Sequence, residues 1–93
     1  GIELVNENPF KLMQNVPNPF NQLTTIKYSV EKTTDAKFYV MNLLGEVVYN
    51  QAMQANEGQN TINFDGSDLN GGIYMYTLEI DGKKVTKRMV INK

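Results

Sequence analysis

The feature that most constrains the fold is a two-residue alternation of apolar and polar side chains near the end of the chain. In the stretch "IYMYTLEI", Tyr74, Tyr76, Leu78 and Ile80 occupy alternate positions. This period is typical of a half-buried strand, because successive side chains point to opposite faces. The dipeptide that follows, Asp81-Gly82, favours a type I′ hairpin turn, which needs positive φ at both central residues. The sequence therefore predicts a β-hairpin, with "KKVTKRMVI" as the returning strand.

The same alternation recurs upstream, and no segment shows helical periodicity. The stretch "EVVYNQAMQ" predicts a weaker strand whose two faces are hard to tell apart. In the returning strand the odd positions are the more apolar, so Lys87 is predicted near the rim with its stem buried. About seven short strands separated by turn residues predict an all-β fold, an antiparallel β-sandwich. The predicted inward positions are Ile26, Tyr28, Val30, Ala36, Phe38, Val40, Ile62, Phe64, Val85, Met89 and Ile91, besides the alternating residues of the hairpin.

A proline-rich stretch, "NVPNPFN", precedes the first clear strand pattern. Proline has no N–H and restricts the residue before it to extended conformations. Such a segment cannot pair inside a sheet, so we expect it along an edge or across an end, with Phe20 as its apolar anchor. A second "NPF" begins at Asn8. It is a shorter analogue, a chance repeat, or the type of ligand that eukaryotic EH modules bind.

Composition excludes several kinds of chemistry. The chain has 93 residues, which predicts one domain. It has no His and no Cys, which rules out Ser-His and Cys-His nucleophilic catalysis and His/Cys zinc sites. Asp65, Asp68 and Asp81 lack calcium-loop spacing, and turn formation accounts for them. The sequence therefore predicts a protein that is not an enzyme and binds no metal, cofactor or small-molecule substrate.

Charge is unevenly distributed along the chain. All ten acidic residues precede residue 83, whereas five of the nine basic residues lie within 83–93. Lysines on an edge strand discourage edge-to-edge pairing, and a basic strand can equally be displayed to a partner. Nucleic acid is not the predicted partner, because five charges on one short strand, with no aromatic residues between them, are a small footprint.

Three blocks in order resemble a known family. They are "LMQNVPNPFNQLTTIKYSV", "FYVMNLLGEVV" and "LNGGIYMYTLEIDGKKVTKRMVINK". Together they resemble the type A C-terminal sorting domain of the type IX secretion system of Bacteroidetes. The additional "ENPFK" upstream departs from the family pattern and bears on where the domain begins. The residues that match the family motifs are Asn18, Pro19, Phe20, Asn42, Leu43, Leu44, Gly45, Gly72, Tyr74, Lys87, Met89, Val90 and Ile91.

The resemblance implies an immunoglobulin-like sandwich that acts as a secretion signal. Such a domain directs a larger cargo protein from the periplasm across the outer membrane to the cell surface or the medium. Its implied partners are the outer-membrane type IX translocon with its shuttle components and a sortase-like cysteine peptidase that removes the domain. Residues 12–93 are predicted to form this domain, and residues 1–11 a linker or its beginning. An accessory module that binds carbohydrate or a surface, or a structural spacer, is the alternative.

Two sets of site residues follow from the resemblance. One set is expected to maintain the fold at the family motifs: Asn18, Pro19, Phe20, Asn42, Gly45, Gly72 and Tyr74. The other is expected to be recognised by the export machinery: Lys87, Arg88, Met89, Val90, Ile91, Asn92 and Lys93. Strand addition or charge is the expected mode of recognition.

Overall fold

The computed structural model describes residues 10–93, so Asn8 and Pro9 of the first "NPF" lie outside the described residues. None of the described residues forms a helix. This part of the chain therefore has no helical segment that could span a membrane. The strands are β1 (Phe10–Leu12), β2 (Leu23–Val30), β3 (Thr34–Met41), β4 (Val47–Ala55), β5 (Gly58–Asp65), β6 (Gly72–Ile80) and β7 (Lys83–Ile91).

The strands form two antiparallel sheets that pack as a sandwich. The three-stranded sheet has the order β1-β2-β5 and the four-stranded sheet the order β4-β3-β6-β7. Consecutive strands β2 and β3, β4 and β5, and β5 and β6 lie in different sheets, an exchange between layers that is typical of immunoglobulin-like folds. The all-β antiparallel sandwich predicted from the alternation is confirmed. Within the described residues the first paired position is Phe10, which is buried opposite Val30.

The inward faces are those that the alternation predicts. On β2, Ile26, Tyr28 and Val30 are buried, and the same holds for the predicted inward residues of β3, β5 and β6. In β7, Met89 and Ile91 are buried while Val85 and Lys87 are half-buried, as expected for a strand that leaves the core at one end. Strand β4 differs from the others, because Ala55 is its only buried residue.

Aromatic rings join the two sheets at the centre of the sandwich. The ring centroid of Phe38 on β3 lies 6.3 Å from that of Phe64 on β5, and 6.1 Å from that of Tyr76 on β6. Phe20, from the proline-rich segment, meets Phe64 at 6.3 Å in an edge-to-face arrangement. These geometries are favourable for aromatic pairs and add to the gain from burial. The segment before β2 is therefore part of the core as well as its border.

The hairpin predicted at Asp81-Gly82 is confirmed. Ile80 pairs with Lys83 across the turn, and φ is 52° at Asp81 and 78° at Gly82. Positive φ at both central residues matches the right-handed twist of the flanking strands.

Tyr76 combines complete burial with an internal hydrogen bond. Its hydroxyl donates to the carbonyl oxygen of Met13 at 2.7 Å. Burial raises the pKa of Tyr76 from 10.0 to about 12, although a backbone hydrogen bond from Asn15 acts in the opposite direction. Burial also raises the pKa of Tyr28. The folded state therefore retains these protons at a pH where the unfolded chain releases them.

We expect this difference to appear in alkaline unfolding. Between pH 10 and 12 the unfolded chain binds fewer protons than the folded one, so the free energy of unfolding falls as pH rises. Over this range Tyr76 alone contributes about 2 kcal/mol to the loss, and Tyr76→Phe removes that part of it. Urea titrations at pH 8, 10 and 11.5 measure the effect, with Tyr39→Phe as the matched control. An equal alkaline loss in Tyr76→Phe and the unmodified chain would contradict the assignment.

Candidate recognition surface

The sequence motifs, which are far apart along the chain, meet at one end of the sandwich. Strands β3 and β7 end there and β6 begins there, since Met41 pairs with Met75 and Gly72 pairs with Ile91. Phe20 forms a bridge to the same Ile91. We call this region the motif end. It comprises the proline segment (residues 13–20), the turn at 42–46, the start of β6 at 71–75 and the end of β7 with its continuation, 88–93.

The proline segment crosses from one sheet to the other. Val16 exchanges two backbone hydrogen bonds with Thr25 of β2, each 2.9 Å long. Phe20 then pairs with β7 in the other sheet: its N–H donates to the Val90 carbonyl at 3.0 Å, and its carbonyl accepts from the Asn92 N–H at 2.7 Å. The bonds preceding Pro17 and Pro19 are both cis. The predicted course across an end, with Phe20 as a buried anchor, is confirmed.

Polar side chains fasten this segment from both sides. The side-chain oxygen of Asn18 accepts a 3.0 Å hydrogen bond from the Val90 N–H, and the Gln14 amide donates to the Arg88 carbonyl at 2.7 Å. Asn15 is buried, and its amide donates to the Pro17 carbonyl at 3.0 Å and to the Thr24 hydroxyl at 3.1 Å. Sequence reasoning missed Asn15, because the asparagine carries no periodic signal and its function depends on a strand nine residues later.

The outer edge of β7 is covered over one half only. Arg88, Val90 and Asn92 direct backbone groups away from β6, and the proline segment occupies them. By the alternation of an antiparallel ladder, Lys84 and Thr86 also direct their backbone groups outward, and no described residue bonds them there. The expectation of an accessible last strand therefore holds for the first half of β7.

The predicted recognition set divides into accessible and inaccessible side chains. Met89 and Ile91 are 0% and 2% exposed and fill the core between the sheets, so in the folded domain their side chains do not face a partner. Arg88 and Asn92 are exposed, whereas Lys87 and Val90 are half-buried. Of the seven predicted recognition residues, these four and Lys93 have side chains that solvent reaches.

Lys93 is exposed but its ammonium group is already held. The Nζ atom donates to the carbonyl oxygens of Gly66 at 3.1 Å and Ser67 at 2.7 Å, and also to that of Leu69. This places the charge over the loop between β5 and β6. The arrangement fastens the end of β7 to that loop, a role that the resemblance did not indicate.

The turn at 42–46 is organised by one asparagine. Asn42 accepts from the N–H groups of Leu44 and Glu46 at 2.9 and 3.0 Å, and its amide donates to the Glu46 carboxylate at 2.8 Å. Gly45 has a φ of 85°, which favours glycine. The geometry thus supports a structural role for Asn42 and Gly45, while Leu43 and Leu44 are exposed.

The start of β6 is held by its own loop. Tyr74 is buried and its hydroxyl donates to the Asn70 carbonyl at 2.7 Å. Gly72 has a φ of 154°, and a Cβ on Gly71 would lie 3.3 Å from the Ile91 carbonyl oxygen. The backbone therefore passes β7 more closely than a side chain would readily allow.

An apolar stripe lies on the outer face of the four-stranded sheet, within and beside the motif end. Cross-strand pairs join Ile73 to Val90, Met75 to Met41, and Met41 to Val47. These positions alternate with the buried ones, so they face away from the core. Arg88 is paired with Met75 and borders the stripe. We define the apolar stripe as these five apolar residues: Met41, Val47, Ile73, Met75 and Val90.

The stripe was not predicted, although the sequence contains its signal. In a half-buried strand the outward positions are expected to be polar, yet two of the outward positions in "IYMYTLEI" are Ile73 and Met75. Val47 and Ile73 are 53% and 39% exposed, and the other three are half-buried. Such a contiguous exposed group is typical of an interaction site.

The described residues offer little for metal or acid–base chemistry. No group of three or more Asp and Glu side chains among residues 10–93 is placed to hold a metal ion. The Asp65 carboxylate accepts hydrogen bonds from the Ser67 hydroxyl and N–H, which lower its pKa. Asp65 thus acts as a turn residue, in agreement with the sequence interpretation.

The sequence matches a known protein family. The family model described as "Secretion system C-terminal sorting domain" matches residues 16–92, which is most of the chain. It spans every part of the motif end except 13–15 and Lys93. No curated protein matches the sequence.

The Asn18 contact can be tested by hydrogen exchange. In Asn18→Ala the Val90 N–H loses its acceptor, and we expect its exchange to accelerate by up to about tenfold, the equivalent of one net hydrogen bond. Asn21→Ala, at an exposed neighbouring position, serves as the matched control. Amide exchange measured by NMR reads both variants, and unchanged protection of Val90 in Asn18→Ala would contradict the contact.

Proposed function

The chain belongs to the secretion system C-terminal sorting domains and is a sorting signal for type IX secretion, and from this premise we propose that the motif end is the surface the export machinery recognises. Membership of the family implies interaction with the type IX machinery, and a cargo that ends at the cell surface or outside the cell. In our proposal, the machinery recognises the motif end rather than another surface of the domain.

The observation that carries the proposal is the apolar stripe with Arg88 at its border. The sandwich gains its stability from its inner faces, so the outward Ile73 and Met75 add little to the fold. Burial of such side chains against a partner contributes about 25 cal/mol per Å². An arginine beside an apolar cluster adds orientation and specificity, and arginine is enriched where interfaces gain most of their energy.

The remaining residues of the motif end have supporting roles in this proposal. Val90 and Arg88 contact the partner, with Lys87 and Asn92 at the rim. Met89 and Ile91 keep β7 in place from the core. Lys93 acts through its bonds to the loop at 66–69. The sheet thus holds Arg88 at a fixed position beside the apolar stripe.

We further propose the course of the domain through export. The domain crosses the periplasm folded, meets the outer-membrane translocon and its shuttle components, and is then removed by a sortase-like cysteine peptidase. Since Phe10 is buried in β1, the cut falls before residue 10. The domain itself makes and breaks no bond in this scheme. No observation favours an accessory carbohydrate-binding module.

Loss of the stripe should abolish recognition without unfolding the domain. We fuse the chain to a fluorescent carrier in a bacterium that has the type IX apparatus and replace Ile73→Thr with Met75→Gln. These near-isosteric changes remove apolar contact at outward positions, and we expect export to fall at least about tenfold, the equivalent of about 1.4 kcal/mol.

Leu23→Gln is the matched control, because Leu23 is an exposed apolar residue outside the stripe and outside the motif end. Export of this variant should stay near that of the unmodified chain. Melting temperatures of all variants are measured on the purified domains. Normal export of the Ile73→Thr, Met75→Gln variant would refute the proposal.

The basic part of the surface is tested separately. Lys87→Glu with Arg88→Glu reverses the charge of β7, at the border of the stripe for Arg88 and on the opposite face of the strand for Lys87, and we expect a folded domain whose export is reduced. Lys27→Glu with Lys37→Glu, at exposed strand positions outside the motif end, is the control for a change in net charge. Equal export of the two double variants would show that the charge of β7 is not read.

A further inference from the structure

Strand β4 is the other edge of the four-stranded sheet. Within the described residues it lacks the charges and the cover that protect β7. Its nine residues, Val47–Ala55, include no charged residue and no proline. Eight of the nine are exposed or half-buried. Natural edge strands are usually blunted by lysine, proline, shortness or a cover, because an unpaired ladder can capture another strand. Only the bulge at Val48, next to one end, interrupts β4.

The register shows which backbone groups of β4 are open. The outward bonds of Val90 on β7 fix the alternation across β6 and β3, because antiparallel residues direct both backbone groups to the same side. By this alternation the odd residues of β4 bond β3. Asn50, Ala52 and Gln54 therefore direct their N–H and C=O groups away from the sheet, and no described residue bonds them there.

The other edges in the described part of the chain are less available. β7 is basic and half covered by the proline segment. β1 has only three residues, and β5 ends in Asp65. Among the edges in the described residues, β4 is thus the nine-residue strand that carries no charge.

We propose that β4 pairs with β4 of a second copy of this chain, in an antiparallel arrangement about a two-fold axis that continues the sheet from one copy to the other. This inference is independent of the recognition surface at the motif end. In the register with full overlap, Gln51 lies on the axis and Asn50 lies opposite Ala52 of the second copy. The two four-stranded sheets then form one sheet.

The composition of β4 suits an identical partner. A two-fold axis brings the residue at the centre of the strand next to its own counterpart, so a charge near the centre would lie close to the same charge on the second copy. β4 has no charge, and the whole chain has a formal net charge of only −1. Gln51, on the axis, carries an amide, which donates and accepts at once and can therefore satisfy an identical group.

The expected association is weak and reversible. One strand edge buries less than the area of a standard stable interface. The dimer should therefore appear only as the concentration rises. Sedimentation of the 93-residue chain over a range of concentrations should show a mass that increases from one chain toward two.

A single cysteine tests the arrangement directly, because the chain has none of its own. Two copies of Gln51 on the axis would occupy a non-hydrogen-bonded pair, with Cα atoms about 4.5 Å apart, which is within the range that a disulfide spans. Gln51→Cys should give a disulfide-linked dimer under mild oxidation. Thr61→Cys, at an exposed position on β5, is the matched control and should remain monomeric.

Two second-site changes on the Gln51→Cys background complete the test. Ala52→Lys places charge on the open edge, and Ala52→Pro removes an outward N–H that β3 does not use. Each should lower crosslinking to the level of Thr61→Cys while the melting transition stays cooperative. Crosslinking of Gln51→Cys no greater than that of Thr61→Cys would overturn the proposal. Equal crosslinking with and without Ala52→Lys would also overturn the proposal. The same holds if β4 is found to pair with a different protein and not with a second copy of this chain.

Discussion

The structure depends on the packing of two inner sheet faces against each other. Phe38 and Phe64, from different sheets, meet near the centre, and the chain has no cysteine that could fasten the layers covalently. Burial of apolar area must therefore offset the entropy of ordering the chain. This requirement fixes which side of each strand faces inward. The outward side, the two edges and the two ends are left free for other roles.

The inner faces and the last hairpin were predictable because they are local. A period of two and an Asp-Gly pair carry their structural meaning within a few residues. The contacts that shape the motif end are not local: Asn18 meets Val90, and Lys93 reaches the loop at 66–69, through side-chain bonds to backbone. Such contacts depend on the finished fold and leave no period in the sequence. The alternation alone placed Met89 and Ile91 on the inward face, where the structure has them.

The motif end also explains why each motif is weak by itself. The turn at 42–46, the glycines at 71–72 and the end of β7 come to the same end of the sandwich only after the strands have paired. Each is an ordinary turn or strand end in sequence, and each holds a neighbour in the structure. A receptor that reads this end therefore reads a folded domain, since an unfolded chain does not bring Met41, Ile73 and Val90 together on one face.

The prolines before β2 prevent the segment that covers β7 from acting as a new edge strand. A segment that pairs with an edge strand normally becomes a new edge, with its own unpaired N–H groups. Phe20 directs its N–H and carbonyl toward β7, so the position before it faces away. That position is Pro19, which has no N–H to offer. Proline also has fewer conformations to lose on ordering. The segment thus covers half of β7 without extending the ladder, whereas none of residues 10–93 covers β4 in this way.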